Sequence, residues 1–362
     1  MGRCGETGSA ALITNSEFPS AMTGRQRTLD FLAGRPTDRP PFHPIVMRWA
    51  ARHAGVKYRD FCLEPASKCR AMLRAAEDFG HDWVTVMSDP YAEASAFGIE
   101  VEYPEDDLPL DRGHFESLEA LGALRPYAVE AHRRLAGRIE EIRRYRELAG
   151  DRYFVVGWVE GPVAEYADLR GLTEAALDFM DEPEKTGEVM DVIVEAAKRF
   201  ITRQVEAGAD CIGIGDAFCS QIGPALFREL AGRREKALVD HIHALGAKAK
   251  LHICGNTTAI LPAMIATGAD IVDVDHLVGS MAPFAGMLSP HQVFSGKADP
   301  VAVVQNGGPA EIAAAVRQGW REAGGRCIVS AGCEITPGTS ADNMRALQRS
   351  AEDLGRKDGG AE

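Results

Sequence analysis

Residues 208–216 read Gly-Ala-Asp-Cys-Ile-Gly-Ile-Gly-Asp, and residues 268–276 repeat the opening as Gly-Ala-Asp-Ile-Val-Asp-Val-Asp-His. In both stretches a glycine suited to the left-handed end of a helix is followed at once by a short apolar run of strand length. The order helix, glycine, strand is typical of repeating βα units, and such units form parallel sheets. The two stretches therefore predict an α/β protein.

The same alternation of short apolar runs and longer amphipathic segments extends over most of the chain. Eight apolar runs predict a closed (β/α)8 barrel, and the absence of a glycine-rich phosphate loop after the first run disfavours an open doubly wound sheet. The predicted strands are 42–47, 83–87, 153–158, 211–215, 249–254, 270–274, 292–295 and 326–330. The predicted helices are 63–79, 118–148, 174–204, 224–245, 257–266, 309–323 and 340–354.

We expect residues 25–356 to form one barrel domain. Residues 1–24 are rich in Gly, Ser, Ala and Thr and lack the basic-then-apolar order of a signal peptide, so a loose N-terminal leader is expected there. Residues 90–150 are long for a single crossover between strands. The sequence therefore predicts an insertion, or a lid, after the second strand of the barrel.

Composition narrows the classes of function. The formal net charge of -13 argues against nucleic-acid binding, which needs a basic face. The sequence holds no run of about 18 apolar residues, so no membrane-spanning helix is expected. The 8 cysteines are scattered without an extracellular signal, which predicts reduced thiols and a cytoplasmic location. The oligomeric state stays open, a homodimer included.

A candidate metal site begins at the end of the fifth predicted strand. His252 and Cys254 flank one residue there, and residues i and i+2 of an extended segment point the same way. Taken alone, this pair is equally well explained as two buried core residues. Cys333 changes the balance, because it follows the last predicted strand and the carboxyl ends of barrel strands meet at one rim. A histidine and two cysteines form a zinc ligand set that leaves a position open.

Further polar residues follow predicted strands and are expected at the same rim, where barrel active sites lie. Each of them singly is also explained as a helix cap. Asp275 is favoured as a fourth zinc ligand, and strand alternation places it on the face of Asp273 with His276 on the other face. Cofactor-contacting residues are not assigned. The candidates for catalysis or substrate binding are Arg48, Asp89, Glu160, Asp216, His276 and, with less support, Asp299.

Three motifs resemble the uroporphyrinogen decarboxylase superfamily, and within it the branch of zinc-dependent cobamide:thiol methyltransferases. They are residues 252–258 (HICGNTT), 332–334 (GCE) and 160–162 (EGP), and the resemblance covers about residues 25–354. It implies a TIM barrel in which zinc activates a thiol that takes a methyl group from methyl-cobalamin. It also implies zinc ligands at His252, Cys254 and Cys333, with a carboxylate ligand at Asp275.

The decarboxylases of the superfamily share other marks with this chain. Residues 47–52 are similar to their Met-Arg-Gln-Ala-Gly-Arg segment, and Asp89 resembles their catalytic aspartate. The chain departs from that segment at Trp49 and Ala51, and Cys333 has no role in a metal-free decarboxylation. Four propionates also need a strongly basic cleft, whereas the expected rim is mostly acidic. Methyl transfer is therefore favoured over decarboxylation.

The favoured hypothesis is a methyltransferase that moves a methyl group between methyl-cobalamin and a thiol or similar acceptor. The sequence holds no Asp-x-His-x-x-Gly segment of the corrinoid-binding kind, so a separate corrinoid protein is expected as partner. Three alternatives remain: a substrate:corrinoid methyltransferase or demethylase, a metal-free decarboxylase, and a carrier with structural zinc. Coenzyme M, homocysteine, other thiols and tetrahydrofolate all remain open as acceptors.

Overall fold

The structure is a computed structural model that describes residues 22–358. Of the predicted leader, only residues 22–24 fall within this range, and Thr23 there caps the first helix. One sheet contains seven parallel strands in the order β1-β4-β5-β6-β7-β8-β9, and β2 and β3 form a separate antiparallel pair. The strands are β1 (Trp83–Thr85), β2 (Val101–Glu102), β3 (Leu110–Asp111), β4 (Phe154–Glu160), β5 (Cys211–Gly215), β6 (Lys248–Ile253), β7 (Ile271–Val274), β8 (Val293–Ala298) and β9 (Cys327–Ala331).

The barrel closes through a short extended segment and not through a full eighth strand. The predicted strand 42–47 is reduced to one bridge between Phe42 and Val329 of β9. The amide of Asp82, just before β1, donates to the carbonyl of Phe42 at 2.9 Å, so this segment joins both edges of the sheet. Pro41 and Pro44 have no N–H to continue the ladder. The (β/α)8 architecture is confirmed, with its first strand shortened to this bridge.

Helices surround the barrel, and two predicted helices are divided. The predicted helix 174–204 is two helices that meet at Pro183, which fits the first turn of a helix but not its interior. The predicted helix 118–148 is interrupted between residues 123 and 132. The helices are α1 (Gly24–Leu32), α2 (Arg48–Ala54), α3 (Tyr58–Leu63), α4 (Pro65–Phe79), α5 (Tyr91–Phe97), α6 (Leu118–Gly122), α7 (Arg133–Ala149), α8 (Pro162–Arg170), α9 (Leu172–Asp181), α10 (Pro183–Glu206), α11 (Gly223–Leu226), α12 (Arg233–Ala244), α13 (Leu261–Ala266), α14 (Ala282–Ala285), α15 (Pro309–Glu322) and α16 (Ala341–Asp358).

The predicted insertion after the strand 83–87 is confirmed in its first part. Helix α5, the hairpin of β2 and β3, and helix α6 lie between β1 and α7. Helix α7 belongs to the barrel itself, because it packs against α4 and β4. Within the described residues, none of the helices joins the length and the apolar character that crossing a membrane requires.

The interior of the barrel changes from apolar to polar along its axis. Register pairs Gly215 of β5 with His252 of β6, and His252 with Asp273 of β7. Residues in register on parallel strands face the same side of the sheet, so polar side chains gather towards the carboxyl rim. The amino-terminal end is filled by a cluster of Leu32, Trp83, Phe154, Val156, Cys211, Ile271, Val293 and Ile328.

Candidate metal centre

The three sequence-predicted ligands come together at the carboxyl rim. Cys254 directly follows β6, and Cys333 lies two residues past the end of β9. The His252 Nε2 atom is 3.0 Å from Cys254 Sγ, and the two sulfurs are 3.5 Å apart. Gly332 allows this approach, because a Cβ atom there would lie 2.9 Å from the carbonyl carbon of Asp275. The fold thus joins two ligands from one strand with a third from the far end of the chain.

This donor set fits a zinc ion. Two sulfurs bound at about 2.3 Å in a tetrahedral site are about 3.8 Å apart, and a bound imidazole nitrogen is about 3.6 Å from each sulfur. The observed sulfur–sulfur distance of 3.5 Å needs only a small adjustment. Both cysteines are partly exposed, whereas His252 is buried. Soft sulfur and imidazole donors favour zinc over magnesium or calcium.

Asp273 orients the imidazole, a role that the sequence did not assign to it. Its Oδ2 atom lies 2.7 Å from His252 Nδ1 and 3.0 Å from Lys250 Nζ. A carboxylate beside Nδ1 fixes the ring so that Nε2 faces the sulfurs, as in many metal-bound histidines. Strand register could have found this contact, because it pairs His252 with Asp273 directly.

The groups at this site shift one another's pKa values. Burial acts to lower the pKa of His252, but its contacts with Asp273 and Cys333 raise it to about 9. Burial acts to raise the pKa of Asp273, but Lys250 and His252 hold it well below its usual range. The hydrogen bond between the two thiols lowers the pKa of Cys333 and raises that of Cys254. One thiolate therefore forms readily at this site, and a thiolate is the form that ligates metal.

Asp275 is not among the residues whose donor atoms lie within 4.8 Å of one another at this site, and its carboxylate is engaged with the backbone. Its Oδ2 atom accepts from the amide of Gly255 at 2.9 Å, and its Oδ1 atom accepts from the amide of Leu277 at 3.0 Å. His276 does not point away as strand alternation predicted, because β7 already ends at Val274. Its Nδ1 atom is 2.6 Å from Asp275 Oδ1, and its Nε2 atom is 3.5 Å from Asp299.

Arg48 and Asp89 lie at the rim in engaged positions. The Arg48 amide donates to Glu334 Oε1 at 3.1 Å, which ties the start of α2 to the residue after Cys333. Asp89 is buried and forms an ion pair with Arg134 of α7. Burial acts to raise the pKa of Asp89, but Arg134, Arg138, Ser88 and Lys68 together outweigh this effect and lower it. The structure thus holds Asp89 as an ion-paired carboxylate.

Glu160 is the last residue of β4 and lies at the barrel rim on a different side from Cys333. Its Oε1 atom accepts from the indole Nε1 of Trp158 at 2.8 Å, and its amide donates to Glu93 at 3.1 Å. The ring centroid of Trp158 is 6.5 Å from that of His252. Burial and the neighbouring Glu93 raise the pKa of Glu160 well above its usual range.

Asp216 and Asp299 have backbone roles in the structure. Asp216 is fully buried after β5 and accepts from the amide of Ala164 at 2.7 Å, near the start of α8. It belongs to a second compact cluster with Cys219 and Glu235. Asp299 accepts from the amides of Val301 and Ala302 at 2.8 Å each, which is the capping role weighed as its alternative.

Comparisons with known proteins join this geometry to a family. The model of the uroporphyrinogen decarboxylase family, "Uroporphyrinogen decarboxylase (URO-D)", matches residues 23–354. A uroporphyrinogen decarboxylase of Prochlorococcus marinus is 26% identical over 320 residues, which are 83% of this chain and 89% of the relative. The methylcobamide:CoM methyltransferase MtbA of Methanosarcina mazei is 27% identical over 342 residues, which are 91% of this chain and 98% of the relative.

A solved structure shares the whole fold. It is a methyltransferase from Methanosarcina mazei with a TM-score of 0.83 and 23% sequence identity, covering 92% of this chain and 99% of its own. At that identity the likeness concerns the fold alone. The family match, in contrast, spans nearly all of the described barrel and includes every candidate ligand. The chain therefore belongs to the uroporphyrinogen decarboxylase family.

Proposed function

We propose that this protein is a zinc-dependent methyltransferase, which moves a methyl group between a corrinoid on a partner protein and a thiol or similar acceptor. One observation carries the proposal. His252 Nε2, Cys254 Sγ and Cys333 Sγ lie within 4.8 Å of one another at the barrel rim, and both cysteines are partly exposed residues. A decarboxylase that works without metal has no use for this donor set.

In this proposal, the residues of the chain bind the zinc ion and orient its ligands. Asp273, held by Lys250, keeps Nδ1 of His252 occupied so that Nε2 faces the two sulfurs. Cys254 and Cys333 would hold the ion from two distant segments, and their exposed side faces the barrel mouth where a substrate enters. Zinc bound there would act as a Lewis acid that stabilises the thiolate form of an acceptor thiol at neutral pH.

Asp275 would complete the site when no substrate is present. Its carboxylate accepts two backbone N–H groups, from Gly255 and Leu277, and these hold it beside Cys254. A carboxylate oxygen is an exchangeable ligand next to three stronger ones. We propose that Asp275 closes the resting site and yields its place to the acceptor.

The partner and location follow from the same proposal. The relative from Methanosarcina mazei is named as a methylcobamide:CoM methyltransferase, which supports a corrinoid as the other methyl-binding group. The chain carries no corrinoid-binding segment of its own that the sequence reveals, so a separate corrinoid protein would present it. We place the reaction in the cytoplasm and propose neither nucleic acid nor membrane as a partner. A homodimer remains compatible with this proposal.

A metal-free decarboxylase is the main rival, since several relatives carry that name. Two basic side chains near the mouth are paired with carboxylates, Arg134 with Asp89 and Arg138 with Glu93. The Arg48 guanidinium lies 3.8 Å from Glu334, and its Nε atom has no hydrogen-bond partner among the described residues. The pairing of Arg134 and Arg138 leaves little free positive charge for a substrate with several carboxylates. The demethylase alternative uses the same metal site and differs in the direction of transfer.

The test uses the purified protein. Zinc at about one ion per chain, together with thiol-dependent loss of the methyl group from methyl-cobalamin, is the expected result. Cobalamin spectra follow the reaction, and uroporphyrinogen supplied in parallel measures decarboxylation. Zinc-free protein that decarboxylates uroporphyrinogen would reject the proposal. Zinc-containing protein that transfers methyl groups from a methoxy or methylamine donor, and not to thiols, would select the demethylase alternative.

A further inference from the structure

We propose that Trp158 and Glu160 form a subsite for an organic cation beside the metal ligands, so that the acceptor thiol carries an ammonium-type group. This inference rests on the proposed function and specifies its substrate class. It is carried by the placement of an indole, a carboxyl group with one free oxygen, and buried carboxyl groups that outnumber their cationic partners on one side of the barrel mouth.

The indole of Trp158 lies across β5 towards the metal site. Two positions of β5 that face the interior, Gly213 and Gly215, have no side chain. A Cβ atom on Gly215 would lie 2.6 Å from the Trp158 ring and 3.2 Å from Glu160 Oε2. The missing side chains therefore make room for the indole, whose centroid is 6.5 Å from that of His252. An aromatic face next to the ligands attracts cations through its quadrupole.

Glu160 places a carboxylate at the end of this indole. Its Oε1 atom is fixed by Trp158 Nε1 at 2.8 Å, whereas Oε2 has no hydrogen-bond partner among the residues that the structure describes. Glu160 pairs with Gly215, which pairs with His252, so two strand spacings, about 9.6 Å, separate the two backbones. Both side chains extend inward, and the indole of Trp158 contacts Glu160 and approaches His252.

The carboxyl groups around Glu160 outnumber the cations that approach it. Glu93 and Glu165 are buried beside it, and Asp168 is partly exposed. Glu165 is only 1% exposed, and neither of its carboxylate oxygens has a hydrogen-bond partner in the described part of the chain. Arg138 is the cation that approaches this group, and it already binds Glu93 at 3.0 Å. Buried carboxyls in this situation either take up protons or bind a further cation.

The side of the mouth near Cys333 has few positive charges that could bind an anion. Arg48 is the partly exposed cation near Cys333, and its guanidinium lies 3.8 Å from Glu334 and 4.0 Å from Asp107. A sulfonate or carboxylate on the substrate would compete with these partners and would face the field of Glu160. A cation would meet the indole and the free Oε2 atom instead. The charge of the mouth thus favours an ammonium group over an acidic one.

Three thiols of equal length test this directly. The compounds 2-aminoethanethiol, 2-mercaptoethanol and 2-mercaptoethanesulfonate share a two-carbon spacer and carry a positive, neutral or negative end. X-ray absorption of the zinc-loaded protein measures the thiol concentration that adds one sulfur to the metal, and methyl transfer from methyl-cobalamin gives kcat/KM for each. We expect the order cationic, neutral, anionic, with about tenfold between the first two, the effect of one hydrogen bond to a charged group.

Variants assign the preference to the subsite. Glu160→Gln keeps the shape and the contact to Trp158 but removes the charge, and should bring the first two thiols to within about threefold of each other. Glu160→Asp keeps the carboxyl group on a shorter side chain. It should retain the order of preference among the three thiols, with a smaller difference between them than in the wild type. Trp158→Phe keeps an aromatic face and should weaken the preference less than Trp158→Leu. Glu147→Gln, on the exposed outer part of α7, is the matched control and should leave the order unchanged.

The outcomes separate the two proposals. Equal response to all three thiols, or preference for the sulfonate, would overturn the cationic subsite while leaving thiol methylation intact. A preference that survives Glu160→Gln in a protein with full zinc would also overturn it. Absence of any new zinc–sulfur contact with all three thiols would reject thiol activation itself, and with it this inference.

Discussion

Two clusters of three ligand-type residues lie at neighbouring strand ends, and they differ in access to solvent. His252, Cys254 and Cys333 form one, and Asp216, Cys219 and Glu235 form the other. In each, the candidate atoms lie within 4.8 Å of one another. The two cysteines of the first cluster are partly exposed residues, whereas all three members of the second cluster are fully buried. Closely spaced donor atoms are therefore common to both clusters. Only the first cluster is accessible enough for a substrate to replace one of its ligands.

The partners of the two clusters differ as well. Asp273 and Lys250 surround the first with charges that set the imidazole for metal binding. In the second, the amide of Ala164 donates to Asp216 at 2.7 Å, and the thiol of Cys219 donates to Glu235 Oε1 at 3.8 Å. Burial and the charge of Asp216 raise the pKa of Glu235 well above its usual range. The buried carboxyl cluster therefore has a structural role, because Asp216 after β5 accepts from the start of α8. The partly exposed cysteine pair with its oriented histidine is the cluster suited to binding a metal that substrate can reach.

Replacing one cysteine of each cluster gives the largest expected contrast. Cys333→Ala should remove bound zinc and lower thiol-dependent methyl transfer by at least about 100-fold, because even an orienting partner of a ligand contributes about 10- to 100-fold. Cys219→Ala should keep zinc and activity but lower the free energy of unfolding by about 1–2 kcal/mol, as a cavity in a buried cluster does. Metal analysis and urea unfolding of both variants provide the measurement. Full zinc in Cys333→Ala would erase the distinction between the clusters.

Asp273→Asn should give the next largest effect. The variant keeps the size of the side chain but weakens the contact that holds His252 Nδ1, so zinc affinity should fall about 10- to 100-fold. Competition with a chelator of known affinity measures this change. Glu147→Gln again serves as the control on an exposed surface. Unchanged zinc affinity in a folded Asp273→Asn protein would show that the histidine is positioned without this carboxylate.

Asp275→Asn should have a smaller effect that separates its two roles. As a ligand, Asp275 should matter for zinc retention in the absence of thiol and much less once thiol is bound. As a backbone acceptor, it should matter for stability alone, by about 1 kcal/mol, because asparagine offers one acceptor oxygen where this carboxylate uses two. Zinc release rates with and without thiol, and the melting temperature, are measured on the same sample. Lower stability with normal zinc retention would leave only the backbone-acceptor role and make His276 the next residue to test.

The last prediction concerns the stability of the buried carboxyl cluster as a function of pH, away from zinc binding and methyl transfer. Burial raises the pKa of Asp216 to about 6, above the ordinary value of about 3.9. A carboxyl with a raised pKa in the folded state stabilises that state at low pH, and this contribution is lost as pH rises from about 4 to about 6. The free energy of unfolding of the wild type relative to Asp216→Asn should therefore fall over that interval. A difference that is flat with pH would contradict the raised pKa.

Periodicity in the sequence predicted most of the fold, and it failed where one residue type interrupted a pattern. Seven of the predicted strands are present, whereas the segment 42–47 keeps only the bridge at Phe42 because prolines at 41 and 44 remove its donors. The helix predicted over 174–204 is divided at Pro183 for a related reason. The division of 118–148 required the tertiary structure, since α7 packs on strand β4 whereas α6 packs on the outer helix α10.

At the site, the sequence by itself determined the local part. The spacing of His252 and Cys254 fixes that both side chains face one side, because a strand alternates with period two. The sequence also indicated Cys333 as the distant third ligand through the rule that barrel strands deliver their ends to one rim. Its expectation for His276 was wrong, since alternation does not extend beyond the last residue of β7.

Only the tertiary structure decided which polar residues touch. Asp273, Asp275 and Asp299 all follow or end apolar runs, yet one orients the histidine, one accepts amides beside the ligands, and one caps a turn. Such roles depend on strand register and on distances of about 3 Å between atoms far apart in sequence. The free Oε2 atom of Glu160 and the orphaned carboxylate of Glu165 likewise arise from packing, because burial and the absence of a partner are properties of neighbours and not of a motif.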